Sequence, residues 1–151
     1  MAIVTIEELL NRAEEFEIKI EQYYARIRDE TVNNGVKLLT YYLARHRRHA
    51  ERVLADFDAK IVAHVKKVQL KYDVTLSPEE EFGLFDADPA SIGSEELLNT
   101  AAAYDAALVG LYKSVLKQPI GAEAEGVFES LIRVEERDIV MIKKMIATNY
   151  F

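Results

Sequence analysis

Residues 5–27 read TIEELLNRAEEFEIKIEQYYARI, and this stretch decides the fold class of the chain. Apolar side chains recur in it at alternating steps of three and four residues, the spacing that places them on one face of an α-helix. Thr5 followed by Glu8 is typical of a capping box, which begins a helix. The pattern predicts a first helix from about residue 5 to 30. Its stripe consists of Leu10, Ala13, Glu17, Ile20, Tyr24 and Ile27.

The same spacing returns three times further along the chain. After the turn signal Asn33-Asn34-Gly35 it predicts a second helix from about residue 33 to 70. A third helix is predicted with Ser94 as its N-cap and an end before Pro119, and a fourth ends near residue 148. The three stripes consist of Val36, Leu39, Leu43, His46, Ala50, Val53 and Phe57; of Leu98, Ala101, Asp105, Leu108, Tyr112 and Val115; and of Phe128, Leu131, Glu135, Asp138, Ile142 and Met145.

The connections between these helices predict the topology. The stretch from Tyr72 to Gly93 loses the helical period and contains Pro78 and Pro89. A connection of this length is uncommon in a compact domain, but it is needed if helices 2 and 3 run parallel and the chain must return along the bundle. We therefore expect an all-α fold, an antiparallel four-helix bundle with one long crossover between helices 2 and 3. This is the topology of ferritin-like folds.

Composition limits the number of domains and the classes of partner. A chain of 151 residues with 50% hydrophobic residues fits a single domain over residues 1–151. Its net charge of -7 argues against nucleic acid or an anionic membrane surface as a partner. The absence of cysteine excludes disulfides and thiolate metal ligands. The first residues do not resemble a signal peptide, so we expect a cytoplasmic protein.

Each predicted stripe contains an ionisable residue where its period calls for an apolar one. These residues are Glu17, His46, Asp105, Glu135 and Asp138, and His49 follows His46 by three positions. Burying such groups is costly unless they are paired or bind a cation. The first such residue of each stripe, namely Glu17, His46, Asp105 and Glu135, lies about eleven to thirteen residues from the predicted start of its helix, or roughly 16 to 20 Å at the helical rise. We therefore expect them to meet near the middle of the bundle.

Over nearly its whole length the chain resembles the ferritin-like superfamily, in particular the small rubrerythrin-like proteins. Glu17, followed by Tyr24, matches the helix 1 carboxylate of that family. His49, followed by Ala50, matches the helix 2 histidine, and Glu135 matches the carboxylate of helix 4. The resemblance implies a site for two iron or manganese ions at the centre of the bundle.

The chain departs from the family pattern at three ligand positions. His46 stands where the resemblance implies a bridging Glu, Asp138 where it implies His, and Asp105 or its neighbour Tyr104 where it implies Glu. An imidazole presents one lone pair and does not bridge two ions as a carboxylate does. The sequence therefore predicts a divergent metal site. Its candidate ligands are Glu17, His46, His49, Asp105, Glu135 and Asp138.

Two functions follow from these residues, and the sequence leaves both open. In the first, the site binds Fe, Mn or Zn. The resemblance then implies oxidase or peroxidase chemistry, with Tyr24 and Tyr112 as nearby hydrogen-bond donors and an external reductant. In the second, the bundle has no cofactor and acts as a structural or protein-interaction module, its histidines paired with carboxylates. Tyrosines 23, 41 and 42 beside the core stripe indicate packing or a homodimer contact.

Overall fold

The computed structural model describes residues 4–45, 49–72 and 87–148, and these residues are mostly helical. The six helices are α1 (Ile6–Glu30), α2 (Asn34–Arg45), α3 (His49–Ala55), α4 (Ala59–Lys66), α5 (Ser94–Leu116) and α6 (Ala122–Ala147) within these ranges. Two short strands, β1 (Val4–Thr5) and β2 (Gln69–Leu70), accompany them. The predicted all-α class is therefore confirmed for the described part of the chain.

Helix α1 begins and ends where the sequence predicts. The Thr5 hydroxyl accepts a hydrogen bond from the backbone N–H of Glu8 at 3.2 Å, which satisfies one of the free donors of the first turn. Asn33 caps α2 by accepting from the N–H of Val36. The turn thus lies at residues 31–33, and the second half of the Asn-Asn-Gly signal already belongs to α2. The side chain of Arg28 then donates to Thr40 at 3.1 Å and links the two helices.

The prediction of one long second helix to residue 70 is wrong. Helix α3 ends at Ala55, and Asp58 begins α4 by accepting a hydrogen bond from the N–H of Lys60 at 2.8 Å. Short acidic side chains compete with the helical ladder in this way, which is why they favour helix starts over helix interiors. Helix α4 ends at Lys66, and β2 follows it.

Strand β2 pairs antiparallel with β1, so that Leu70 lies opposite Val4 at the beginning of α1. The side-chain amide of Gln118 holds the backbone of Tyr72, which follows β2. It donates to the carbonyl of Tyr72 at 2.8 Å and accepts from the N–H of Tyr72 at 3.0 Å. When the described chain resumes, Ala87 accepts a hydrogen bond from the Tyr23 hydroxyl at 2.7 Å. Ile6 and Tyr23 are separated by about 26 Å along α1. Leu70 therefore lies beside the beginning of α1, and Ala87 lies beside its second half.

Helices α5 and α6 form the most extensively packed pair in the described chain. They are joined by the short turn predicted at residues 118–121, where Gly121 has a φ of 87°, a conformation that L side chains rarely adopt. Ser94 is not the N-cap of α5 as predicted. Gly93 occupies that position without a side-chain hydrogen bond, and Ser94 is the first helical residue.

The remaining contacts hold α5 and α6 against the first half of the chain. Helix α1 packs on α2, α2 contacts α5, and α3 contacts α6. Aromatic side chains connect α1 with α5, since the ring of Tyr104 meets those of Phe16 and Tyr24 at centroid distances of 5.9 and 6.3 Å. Of the helices within the described ranges, none combines the length and apolar character that crossing a bilayer requires.

Candidate functional site

Five of the six predicted site residues lie within the described chain, and all five are buried. Their relative exposures are Glu17 4%, His49 4%, Asp105 0%, Glu135 1% and Asp138 7%. The sixth, His46, lies outside the described residues. Helices α1, α3, α5 and α6 each bury at least one of these side chains, so the polar interior predicted from the interrupted stripes is present in the described part of the fold.

The register between α5 and α6 brings two of these carboxylates to the same height. The rings of Tyr112 and Phe128 meet at a centroid distance of 5.8 Å. Because a short turn joins the two helices, they run in opposite directions. Asp105 precedes Tyr112 by seven residues, and Glu135 follows Phe128 by seven. Asp105 and Glu135 therefore lie at the same level, about 10 Å above the aromatic contact.

Tyr104 extends this level to α1. Its ring is fully buried and lies between Phe16 and Tyr24, the residues that flank Glu17 along α1. Asp105 is the next residue after Tyr104, so Glu17 and Asp105 come from neighbouring parts of two helices in contact. From the sequence, Tyr104 was predicted only as an alternative to Asp105 at the ligand position of helix 3. Its spacing to Ala101 and Leu108 was the signal that it belongs to the buried face.

His49 and Glu135 are in direct contact within the cluster. The Nδ1 atom of His49 lies 3.0 Å from Oε1 of Glu135, and both side chains are almost completely buried. Despite this distance, His49 Nδ1 and both carboxylate oxygens of Glu135 lack a hydrogen bond with correct geometry to any residue in the described chain. Buried polar groups in this state are rare, because each loses its hydration without a replacement.

A separation of 3.0 Å is also the distance between adjacent ligands of a metal ion. In an octahedral site with bonds of about 2.1 Å, neighbouring ligand atoms lie about 3.0 Å apart. Imidazole nitrogen and carboxylate oxygen are both ligands for Fe, Mn and Zn. The pair therefore fits two positions of such a site by atom type, burial and distance.

A complete ligand set is not present in the part of the chain that the structure describes. Within residues 4–45, 49–72 and 87–148, no three His, Asp or Glu side chains are grouped so that they could hold a metal ion. Glu17, Asp105 and Asp138 are buried at the cluster, but each has an interaction of its own with another group. The structure thus brings His49 and Glu135 into direct contact, and it buries Glu17, Asp105 and Asp138 on the neighbouring helices.

A cavity of about 350 Å³ lies between α1 and α3. Glu17 forms part of its wall, so the cavity reaches a member of the buried cluster. The other polar residues that line it are Asn11, Glu14, Glu21, Glu51 and Lys66. The apolar stripes do not predict this cavity. The signal was nonetheless present, because positions 14, 17 and 21 share one face of a helix at steps of three and four.

Comparisons of this chain with models of protein families, with curated proteins and with solved structures found no match.

Proposed function

We propose that the protein is a ferritin-like four-helix bundle that binds a divalent Fe, Mn or Zn ion through His49 and Glu135. The observation that carries this proposal is the buried pair at 3.0 Å whose facing atoms form no hydrogen bond. A cation between them would satisfy both groups at once. The positions of Leu70 beside Val4 and of Ala87 beside Tyr23, together with the turn between α5 and α6, are compatible with the bundle topology.

The proposal requires at least one further ligand. His46 precedes His49 by three residues, and Asp138 follows Glu135 by three, so the sequence makes these the nearest candidates. Asp105, at the level of Glu135, and Glu17 are the others. Glu135 would offset the charge of the ion, and His49 would supply a neutral lone pair.

The resemblance to rubrerythrin-like proteins suggests the chemistry. Bound iron or manganese would supply redox reactivity toward dioxygen or peroxide, with electrons from an external reductant. The chain's own contribution would be a site shielded from bulk water. The side chains of Tyr24, Tyr104 and Tyr112, all fully buried, would hold water away from the cluster.

A second candidate function is a metal-free bundle that acts as a structural or interaction module. The direct contact of His49 Nδ1 with Glu135 Oε1 at 3.0 Å favours it. In this case His49 and Glu135 would be an ion pair that aligns α3 with α6, as buried polar pairs do in some helical proteins. A cytoplasmic location and a homodimer stay predictions in both cases.

Metal analysis separates the two functions. We expect protein produced without a histidine tag to retain Fe, Mn or Zn at close to one equivalent or more, and to melt at a lower temperature after EDTA treatment. His49→Ala should abolish binding. His64→Ala is the matched control, because the His64 side chain is 74% exposed and should be dispensable. A metal-free wild-type protein that takes up none of the three ions, with an unchanged melting temperature, would exclude the first function and support the second.

A further inference from the structure

Exposed apolar side chains are concentrated on and just before α2. Leu38 is 70% exposed and Tyr41 is 58% exposed, and Val32, in the turn before the helix, is 94% exposed. Leu38, Tyr41 and Arg45 follow one another at steps of three and four residues, so they share one face of α2. Large apolar groups grouped in this way on a protein surface are typical of a contact with another molecule.

The same face of α2 is basic, although the whole chain has a net charge of -7. Helix α2 contains Lys37 and Arg45 and has no Asp or Glu. Arg28 of α1 adds a third positive charge, since its guanidinium carbon lies 4.0 Å from the centre of the Tyr41 ring. We call this surface, which consists of Arg28, Lys37, Leu38, Tyr41 and Arg45, the basic patch.

The middle of α1 has an exposed apolar residue beside acidic ones. Ile18 is 41% exposed, and Glu14 and Glu21 lie one turn away from it on either side. These three residues and Leu54 of α3 line the cavity of about 350 Å³, in which the glutamates outnumber Lys66. We call Glu14, Ile18, Glu21 and Leu54 the acidic patch.

The two patches lie along the same side of α1. Glu14, Glu21 and Arg28 are separated by seven residues each, close to two full turns, so they follow one line along the helix. Arg28 also donates to Thr40 of α2 at 3.1 Å, which joins the basic patch to this line. The surface therefore changes from acidic at Glu14 to basic at Arg28 over about 21 Å.

A surface with this order of charges is complementary to a second copy of itself in the antiparallel direction. In a dimer with two-fold symmetry the same surface is used by both chains, and every contact occurs twice. We propose that this surface of α1 and α2 is the interface of a homodimer, in which the basic patch of each chain contacts the acidic patch of the other. The interface covers Ile18, Leu38 and Tyr41. The inference does not depend on metal binding.

The apolar part of the interface is tested by analytical ultracentrifugation over a series of protein concentrations, which gives the Kd of the dimer. We expect Leu38→Ser to raise this Kd at least about 10-fold, because the dimer loses two buried leucine side chains. Val140→Ser is the matched control. Val140 is 55% exposed on α6 and belongs to neither patch, so its replacement should leave the Kd unchanged.

Charge reversal tests the pairing of the two patches. Glu14→Lys/Glu21→Lys makes the whole surface basic, and Lys37→Glu/Arg45→Glu makes it largely acidic. Each variant alone should be a monomer with the circular dichroism of the wild type. Their equimolar mixture should form a heterodimer, because opposite charges then face each other at both contacts.

Three results would overturn the proposed interface. The first is a monomeric wild-type protein, including one whose monomer instead binds vesicles of anionic phospholipid. The second is a Leu38→Ser variant that dimerises as well as the wild type. The third is a mixture of the two folded charge variants that stays monomeric. None of these results bears on the proposed metal site, which metal analysis tests separately.

Discussion

Replacing His49 by leucine should destabilise the metal-free protein strongly. Glu135 is 1% exposed, and its Oε1 lies 3.0 Å from the imidazole that would be removed. Without that neighbour, the carboxylate stays buried with no polar partner at this contact. Breaking a buried charged pair on one side costs about 3–5 kcal/mol in the free energy of unfolding. For a domain with a total stability of about 5–15 kcal/mol this is a large loss.

Substitutions of Glu135, alone and together with His49, should reveal how much of that loss comes from a Glu135 carboxylate left without its neighbour. Glu135→Met leaves the imidazole without its polar neighbour, which should cost less, about 1–3 kcal/mol, the penalty for one unsatisfied buried polar group. The double substitution His49→Leu/Glu135→Met removes both polar groups and replaces them with apolar side chains. We expect it to lie within about 1 kcal/mol of the wild type or to be more stable. The two single losses should therefore not add, and the coupling energy should be at least about 3 kcal/mol.

The measurement is urea denaturation in the presence of EDTA, followed by circular dichroism at 222 nm. Two partly exposed positions serve as controls: His64→Leu and Glu136→Met should each change the stability by no more than about 0.5 kcal/mol. If His49→Leu costs less than about 1 kcal/mol, or if the double substitution equals the sum of the single ones, the two side chains are not coupled in the folded protein. The account of the buried pair would then be refuted.

Three further predictions concern the connections that hold the helices in place, and urea denaturation measures each. Gln118→Ala removes both hydrogen bonds to the backbone of Tyr72 and should lower the free energy of unfolding by about 1–3 kcal/mol. An unchanged urea midpoint would show that these two hydrogen bonds do not stabilise the fold. Gly121→Ala should cost about 1–2 kcal/mol because its φ of 87° disfavours any side chain; Gly110→Ala, in the middle of a helix, should instead be neutral or stabilising. Asp58→Ala removes the cap of α4 and should cost about 1 kcal/mol, and Asp58→Asn should retain most of it.

The spacing of apolar residues was sufficient to predict three of the four helices expected from the sequence. The limits of α1, α5 and α6 follow from apolar spacing together with nearby caps and turns, all of which act within a few residues. The predicted continuity of the second helix is wrong near Asp58, which caps a new helix. There the apolar spacing continues through Ile61 and Val65, but a side-chain hydrogen bond to the backbone interrupts the ladder. Periodicity alone does not register such competition.

The composition of the buried cluster was also readable from the sequence, since a charged residue within an apolar stripe must accompany that stripe into the interior. The contacts between these side chains could not be predicted from the sequence. The approach of His49 to Glu135 depends on the packing of α3 against α6, and the cavity beside Glu17 depends on the gap between α1 and α3. Likewise, the pairing of β1 with β2 joins residues more than sixty positions apart. Contacts of this kind are decided by the closure of long loops and the fit of whole helix faces, and neither is encoded in the spacing of neighbouring residues.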